Sequence, residues 1–308
     1  KFFDYVLLGF FIGLGILSKY LFIYLAIGIK LLFVYLIYKR KKIRVLNVFL
    51  AGLITLLIIS PHLFWLSENN FISLNYGLQR TGGFGSITDH FYLPIVFTLK
   101  QIVLLVPFFT MLYFLIDKFN FKKIKLNNKL VFLIFVCVIP IFLMICTSFL
   151  FGVKIRTMWM TPFYLLIGIL FIEIIGNRVN LKYLKKFIFV FIFFFLLSPI
   201  TYLTVSLIND SKRTDYPGKE IAILIENRWY KNFSNDIKIV VGDEWYAGNL
   251  SYHLASRPKW FNDLKGKTSI VNSEDGVVYT GNPKVLKKIC PGIYGTIKPV
   301  GYCMIGKR

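Results

Sequence analysis

Residues 152–163 read GVKIRTMWMTPF and set two cations, Lys154 and Arg156, between two long apolar runs. Arginine offers a planar fork of donors and lysine a mobile point charge, a pair suited to gripping a phosphate. Trp159 and Pro162 follow at once. The competing reading is snorkelling, in which both cations simply reach lipid headgroups. Lys19 stands in a similar place, in GLGILSKYLFIY, at a short and otherwise uncharged junction. It reads either as a third phosphate ligand or as a helix-end lysine marking a turn. In SPHLFWLSENN, His62 and Trp65 are three apart and share a helix face, which Glu68 extends. A histidine there can donate to a phosphate or a sugar hydroxyl. The indole can stack on a sugar ring or anchor at the membrane interface, where tryptophan is common. Arg80 is the one cation of the loop that follows, a further phosphate candidate or a solvated loop arginine. Glu68 and Asp89 are the carboxylates of these junctions. Nothing in the sequence pairs them, so they are weak candidates for a general base.

Such residues need elements to hold them. Of the 308 residues 56% are hydrophobic, well above the ~45–50% of an ordinary globular chain. The excess lies in blocks at 5–17, 20–38, 46–65, 93–116, 130–151, 158–176 and 187–208. Runs of ~18 uncharged residues read as membrane helices. The expectation is therefore a mainly α transmembrane bundle of six to seven spans, the first block being short enough for a half-span or one arm of a hairpin. The formal charge of +22 fits this class, because its cations crowd into short loops. Segment 39–44 carries five, 118–129 five and 177–186 four. By the positive-inside rule these mark the cytoplasmic side. Their placement argues against a nucleic-acid partner. The remaining junctions, including 66–92, 152–157 and everything after about 209, then face outward. Loop 66–92 carries Gly82, Gly83 and Gly85 and reads as a mobile lid or as a plain connection.

After residue 208 the character changes. Charges mix in sign, GKEIAILIENRWYKNF reads as an amphipathic helix, and DIKIVVGDEWYAGNLSYHLASRP as strand, turn and helix. The expected division is a polytopic membrane domain over 1–208 and a small extracytoplasmic α/β domain over 209–308. Asp243 and Glu244 read as caps of the helix after them. No glycine-rich phosphate fingerprint follows the strand, and no Cys/His spacing fits a metal, so no cofactor is expected. Cys137 and Cys146 read as packing residues inside a span. Cys290 and Cys303 bracket a closable loop, where an oxidising compartment permits a disulfide.

The segments GLGILSKY, SPHLFWLSENNF and KIRTMWMTPFYLL, in this order, resemble the C-type membrane glycosyltransferases. Among these the chain is similar to the bacterial protein O-mannosyltransferases and the lipid A aminoarabinose transferase. DYPGKEIA and VVGDEWYAGNLSYHLASRP resemble the outer C-terminal domain of bacterial members. The resemblance implies a polyprenyl-phosphate-linked sugar as donor and a protein, lipid or glycan acceptor on the outer face of a bacterial inner membrane. It implies inversion at the anomeric carbon and, in this branch, metal-independent chemistry in which cations hold the donor phosphate. Lys154 and Arg156 match the family's basic pair, Lys19 the lysine closing its glycine- and leucine-rich helix, and His62 and Glu68 its proline-histidine segment. The family's catalytic acidic residue is expected upstream of Lys1, so this stretch is read as the later part of a longer enzyme, binding donor without turnover by itself. The alternative is a transporter or flippase of a lipid-linked or anionic substrate. That class places ionisable groups near the membrane midplane. Here most span interiors carry none, with Lys100 and Glu173 the nearest exceptions.

Overall fold

A computed structural model describes residues 2–82, 85–116, 126–176, 179–209, 215–261, 275–297 and 300–308. Gly83 and most of the second basic segment lie outside these ranges. The chain packs as two units, Lys1–Pro199 and Ile200–Arg308.

The first unit is helical. It comprises α1 (Phe2–Ser18), α2 (Phe22–Tyr38), α3 (Val45–Glu68), α4 (Ile72–Arg80), α5 (Asp89–Tyr113), α6 (Asn128–Leu133), α7 (Ile139–Phe151), α8 (Ile167–Ile175) and most of α9 (Leu184–Ile208). A π turn, Ile134–Val138, joins α6 to α7, and a 3-10 segment, Thr157–Tyr164, precedes α8. Among the described residues, four helical stretches are long and apolar enough to cross a bilayer: Val45–Glu68, Asp89–Tyr113, Asn128–Phe151 and Leu181–Ile208. The bent pair Thr157–Tyr164 and Ile167–Ile175 makes at most a fifth. The chain is thus a multi-pass membrane protein, but the expectation of six to seven spans is wrong. The first two apolar runs fold as α1 and α2, 17 residues each. At 1.5 Å per residue each is about 25 Å long, short of the ~30 Å hydrocarbon core. Run 158–176 breaks for a different reason. Pro162 has no N–H to give, the backbone there winds as 3-10, and α8 leaves it at 56°.

Small residues and backbone carbonyls bring these helices together. On α1, a Cβ added at Gly9 would lie 2.3 Å from the carbonyl oxygen of Ala51, and one at Gly13 would lie 2.8 Å from Ile58. Thr55 on α3 donates its hydroxyl to the carbonyls of Gly9 (3.0 Å) and Ala51 (2.9 Å). This is the small-xxx-small packing of membrane helices. Gly28 of α2 similarly abuts the carbonyl of Phe135 in the π turn, where Pro140 denies the carbonyl of Val136 its helical donor. Tyr24 of α2 donates to Thr147 of α7 at 3.0 Å.

The second unit is α/β, with a five-stranded sheet in the order β2-β1-β3-β5-β4. Its elements are α10 (Gly218–Tyr230), β1 (Ile239–Val241), α11 (Tyr246–His253), β2 (Lys259–Phe261), β3 (Val277–Gly281), α12 (Pro283–Ile289), β4 (Ile293–Ile297) and β5 (Val300–Ile305). β1 runs parallel to β2 and β3, while β5 is antiparallel to β3 and β4. Ile221, Ala222, Ile225 and Trp229 form one buried stripe of α10 and pack with Val240, Val278, Tyr302 and Met304. The side chain of Asp243 caps α11 by accepting the N–H groups of Trp245 and Tyr246. A disulfide joins Cys290, at the end of α12, to Cys303 on β5.

Candidate functional site

The spacing of Lys154 and Arg156 acquires a cause in the backbone. Gly152 ends α7 in the left-handed region, at φ +60°, and turns the chain out of the helix. Ser148 holds the return by donating to the carbonyl of Val153 at 2.8 Å. Residues 153–156 form neither helix nor strand, and Arg156 is extended, at φ −79° and ψ 131°. Val153 and Ile155 are buried, while Lys154 is exposed and Arg156 half-buried. Burial alternates along the segment, and the two cations fall at its less buried positions. Ile155 anchors that arrangement in a buried cluster with Phe97, Met144, Met160 and Phe163. Trp159 packs on the same cluster, and so do Leu21, Tyr24 and Leu25 at the start of α2. Tyr164 closes the 3-10 segment and donates to Gln101 of α5 at 2.5 Å, a polar pair at membrane depth.

The loop before α5 is latched onto this connection. The N–H of Lys154 donates to the carbonyl of Thr81 (3.0 Å), and that of Gly85 to the carbonyl of Phe151 (3.4 Å). His90 Nδ1 lies 2.7 Å from the carbonyl oxygen of Phe149. A carbonyl only accepts, so Nδ1 carries the proton and Nε2 is left as an acceptor in the neutral ring. Glycine at 85 and 152 allows this approach, since a Cβ at Gly85 would stand 2.3 Å from the carbonyl oxygen of Gly152. Within the loop, residues 72–80 are the helix α4. Arg80 ends α4 and donates Nε to the Tyr76 hydroxyl at 2.8 Å. Thr81, next to it, is the residue that holds Lys154.

Lys19 lies exposed in the turn between α1 and α2. Its neighbour Tyr20 meets His62, with the hydroxyl 2.6 Å from Nε2. The His62 ring stacks on Tyr20 and on Trp65, with centroids 5.7 Å apart in each pair. Helix spacing explains the His62–Trp65 contact, whereas the Tyr20 partner comes from the α1–α2 turn. His62 and Trp65 thus meet the turn that carries Lys19, while Arg80 adjoins the connection that carries Lys154, Arg156 and Trp159, which makes two groups. The α2 residues packed on Ile155 link the two groups. Among the described residues no carboxylate pairs with Lys154 or Arg156.

Glu68, the last residue of α3, is exposed, and no contact joins it to this group. Asp89 is occupied locally, its Oδ2 accepting the N–H (2.9 Å) and hydroxyl (2.7 Å) of Ser86. The two carboxylates form no pair. Tyr20, Tyr76 and His90 are the contact-making residues that spacing did not single out. Tyr20 had one signal, its place beside Lys19. From the His90–Phe149 clasp an apolar groove of about 440 Å³ runs between α5 and α7, lined by Phe91, Pro94, Ile95, Leu99, Ile145 and Phe149.

Nothing matches this chain among curated proteins or among solved structures. Residues 1–65, which carry Lys19, Tyr20, His62 and Trp65, match the family described as dolichyl-phosphate-mannose-protein mannosyltransferase, a similarity that covers α1, α2 and most of α3.

Proposed function

We propose that this protein takes part in moving a sugar from a polyprenyl-phosphate donor to an acceptor on the outer face of a bacterial inner membrane, and that this chain holds the donor phosphate. The observation that supports the reading is segment 153–156, where Lys154 and Arg156 alternate with buried Val153 and Ile155, without carboxylate partners among the described residues, and where the Lys154 backbone is bonded to Thr81, next to Arg80. As the sugar–oxygen bond breaks, negative charge grows on the lipid phosphate. Cations already aimed at it lower that barrier without reorganising. Lys19 and the Tyr20–His62–Trp65 stack face the sugar. The groove beside Phe149 seats part of the isoprenoid chain. Acceptors of the protein, lipid and glycan classes all fit, because no residue here discriminates among them. The Ile200–Arg308 unit lies on the outer side in this reading, in keeping with its disulfide.

The test is binding of a polyprenyl phosphate to the chain in lipid nanodiscs, together with donor consumption by the full-length protein. Replacing Arg156 by Ala removes a charge-assisted fork and should weaken binding at least ~10-fold, about 1.4 kcal/mol. Unchanged affinity and unchanged donor use in Arg156→Ala would remove the phosphate clamp. A cysteine placed at 154 that only cytoplasmic reagents can label would invert the topology.

A further inference from the structure

We propose that the Ile200–Arg308 unit carries a second binding site, for a neutral carbohydrate chain, at the carboxyl ends of β1 and β3. From β1 the chain passes through α11 to β2 on one flank, while β3 lies on the other. In open α/β sheets such a reversal leaves a crevice outside the strand ends, where ligands collect. Gly242 follows β1 directly, with φ +154°, and a Cβ there would stand 2.3 Å from Thr280 Oγ1 on β3. That hydroxyl is buried and has no hydrogen-bond partner among the described residues. An orphaned polar atom buried beneath Gly242 at the strand ends is a group in want of a ligand or a water.

The residues around it select the chemistry. Asp243 already accepts the first N–H groups of α11, at 2.7 and 2.8 Å, so a carboxylate fills the place a phosphate would take. That disfavours nucleotides and other anions. Three half-buried rings cluster beside Asp243: Tyr216 lies 6.1 Å from Trp245 and 5.6 Å from Tyr246, both tilted by 58°. From β2 the Trp260 indole donates to the carbonyl of Gly242 at 3.1 Å and is partly exposed among the described residues. Burial, helped by Tyr246 and Asp243, pushes the Tyr216 hydroxyl up to about 12, so it stays a donor at neutral pH. Aromatic faces set among a carboxylate and a hydroxyl donor complement a pyranose, which has an apolar C–H face and a rim of hydroxyls. A lysine-rich peptide is the rival ligand for aromatic rings beside an acid. The unit opposes it, with 16 Lys and Arg against 10 Asp and Glu over 200–308.

The site does not rest on the donor reading. It is tested by calorimetric titration of the whole chain in nanodiscs with neutral hexasaccharides of glucose, mannose and N-acetylglucosamine, and with hexalysine. At least one hexasaccharide should bind saturably and hexalysine should not. Trp245→Ala should weaken that binding tenfold or more, and Tyr216→Phe, which keeps the ring and drops the hydroxyl, about threefold. Tyr246→Ala serves in place of Trp245→Ala if the latter loses its circular dichroism. Saturation by none of the three sugars, binding of hexalysine alone, or full affinity in both ring variants overturns the proposal. Polyprenyl-phosphate binding by the same preparations reports on the other site, so either reading can fail alone.

Discussion

Helix α9 and helix α10 are both rich in apolar residues, yet they treat them in opposite ways. No residue of α9 is buried, and Phe189 is 73% exposed. On α10, Trp229 is completely enclosed, and Ile221, Ala222 and Ile225 are buried with it. The difference lies in the surroundings each helix is built for. Lipid chains are as apolar as Phe or Leu, so a membrane helix gains little by hiding such side chains from them. The first unit is instead held by close backbone approach and a few polar links: Gly9 against Ala51, Thr55 to Gly9, and Tyr24 to Thr147. In water, apolar area must be removed from solvent at ~25 cal/mol per Å². The second unit therefore builds a conventional core and adds a disulfide.

Matched substitutions break or sharpen this contrast. The largest effect is expected at Trp229→Ala, which empties the centre of the second core and should cost about 3–5 kcal/mol in denaturant unfolding of that unit. A loss under 1 kcal/mol would mean that this core does not carry the unit. Replacing Cys290 and Cys303 together by Ser opens a cross-link of sequence separation 13 and should cost about 3 kcal/mol, read as a lowered midpoint of the same transition. In the first unit Gly9→Val drives a side chain into the carbonyl of Ala51. It should destabilise the α1–α3 pair by about 1–3 kcal/mol, seen as loss of a cysteine cross-link engineered between those helices. The smallest effect belongs to Phe193→Leu on α9, within about 0.5 kcal/mol by thermal unfolding in nanodiscs. A large loss there would show that another protein surface, not lipid, covers α9.

The parts of this molecule readable from residue order are those with local causes. The stripe of α10, the cap at Asp243, the apolar runs and the isolation of Lys154 and Arg156 between two of them follow from periodicity, turn chemistry and hydropathy over a few residues. The span count does not. Hydropathy registers that 158–176 is apolar but not that the chain bends by 56° behind Pro162, and it cannot weigh a 17-residue helix against the thickness it must cross. The contacts that assemble the candidate site are also non-local. Tyr20 reaches His62 across 42 positions, and His90 reaches Phe149 across 59. Glu68 and Asp89, joined in the sequence only by their type, stay apart because Asp89 is taken by Ser86.

Residue order alone thus determined that the chain lives in a membrane, where its cations are allowed, and that an α/β unit follows. Tertiary structure decided which rings meet His62 and which loop is bonded to the segment that carries Lys154 and Arg156. The reason is geometric. Composition sets where each residue is stable, whereas a binding site is a set of distances, and these exist only after Gly152 turns the chain and Thr81 and Ile155 hold it.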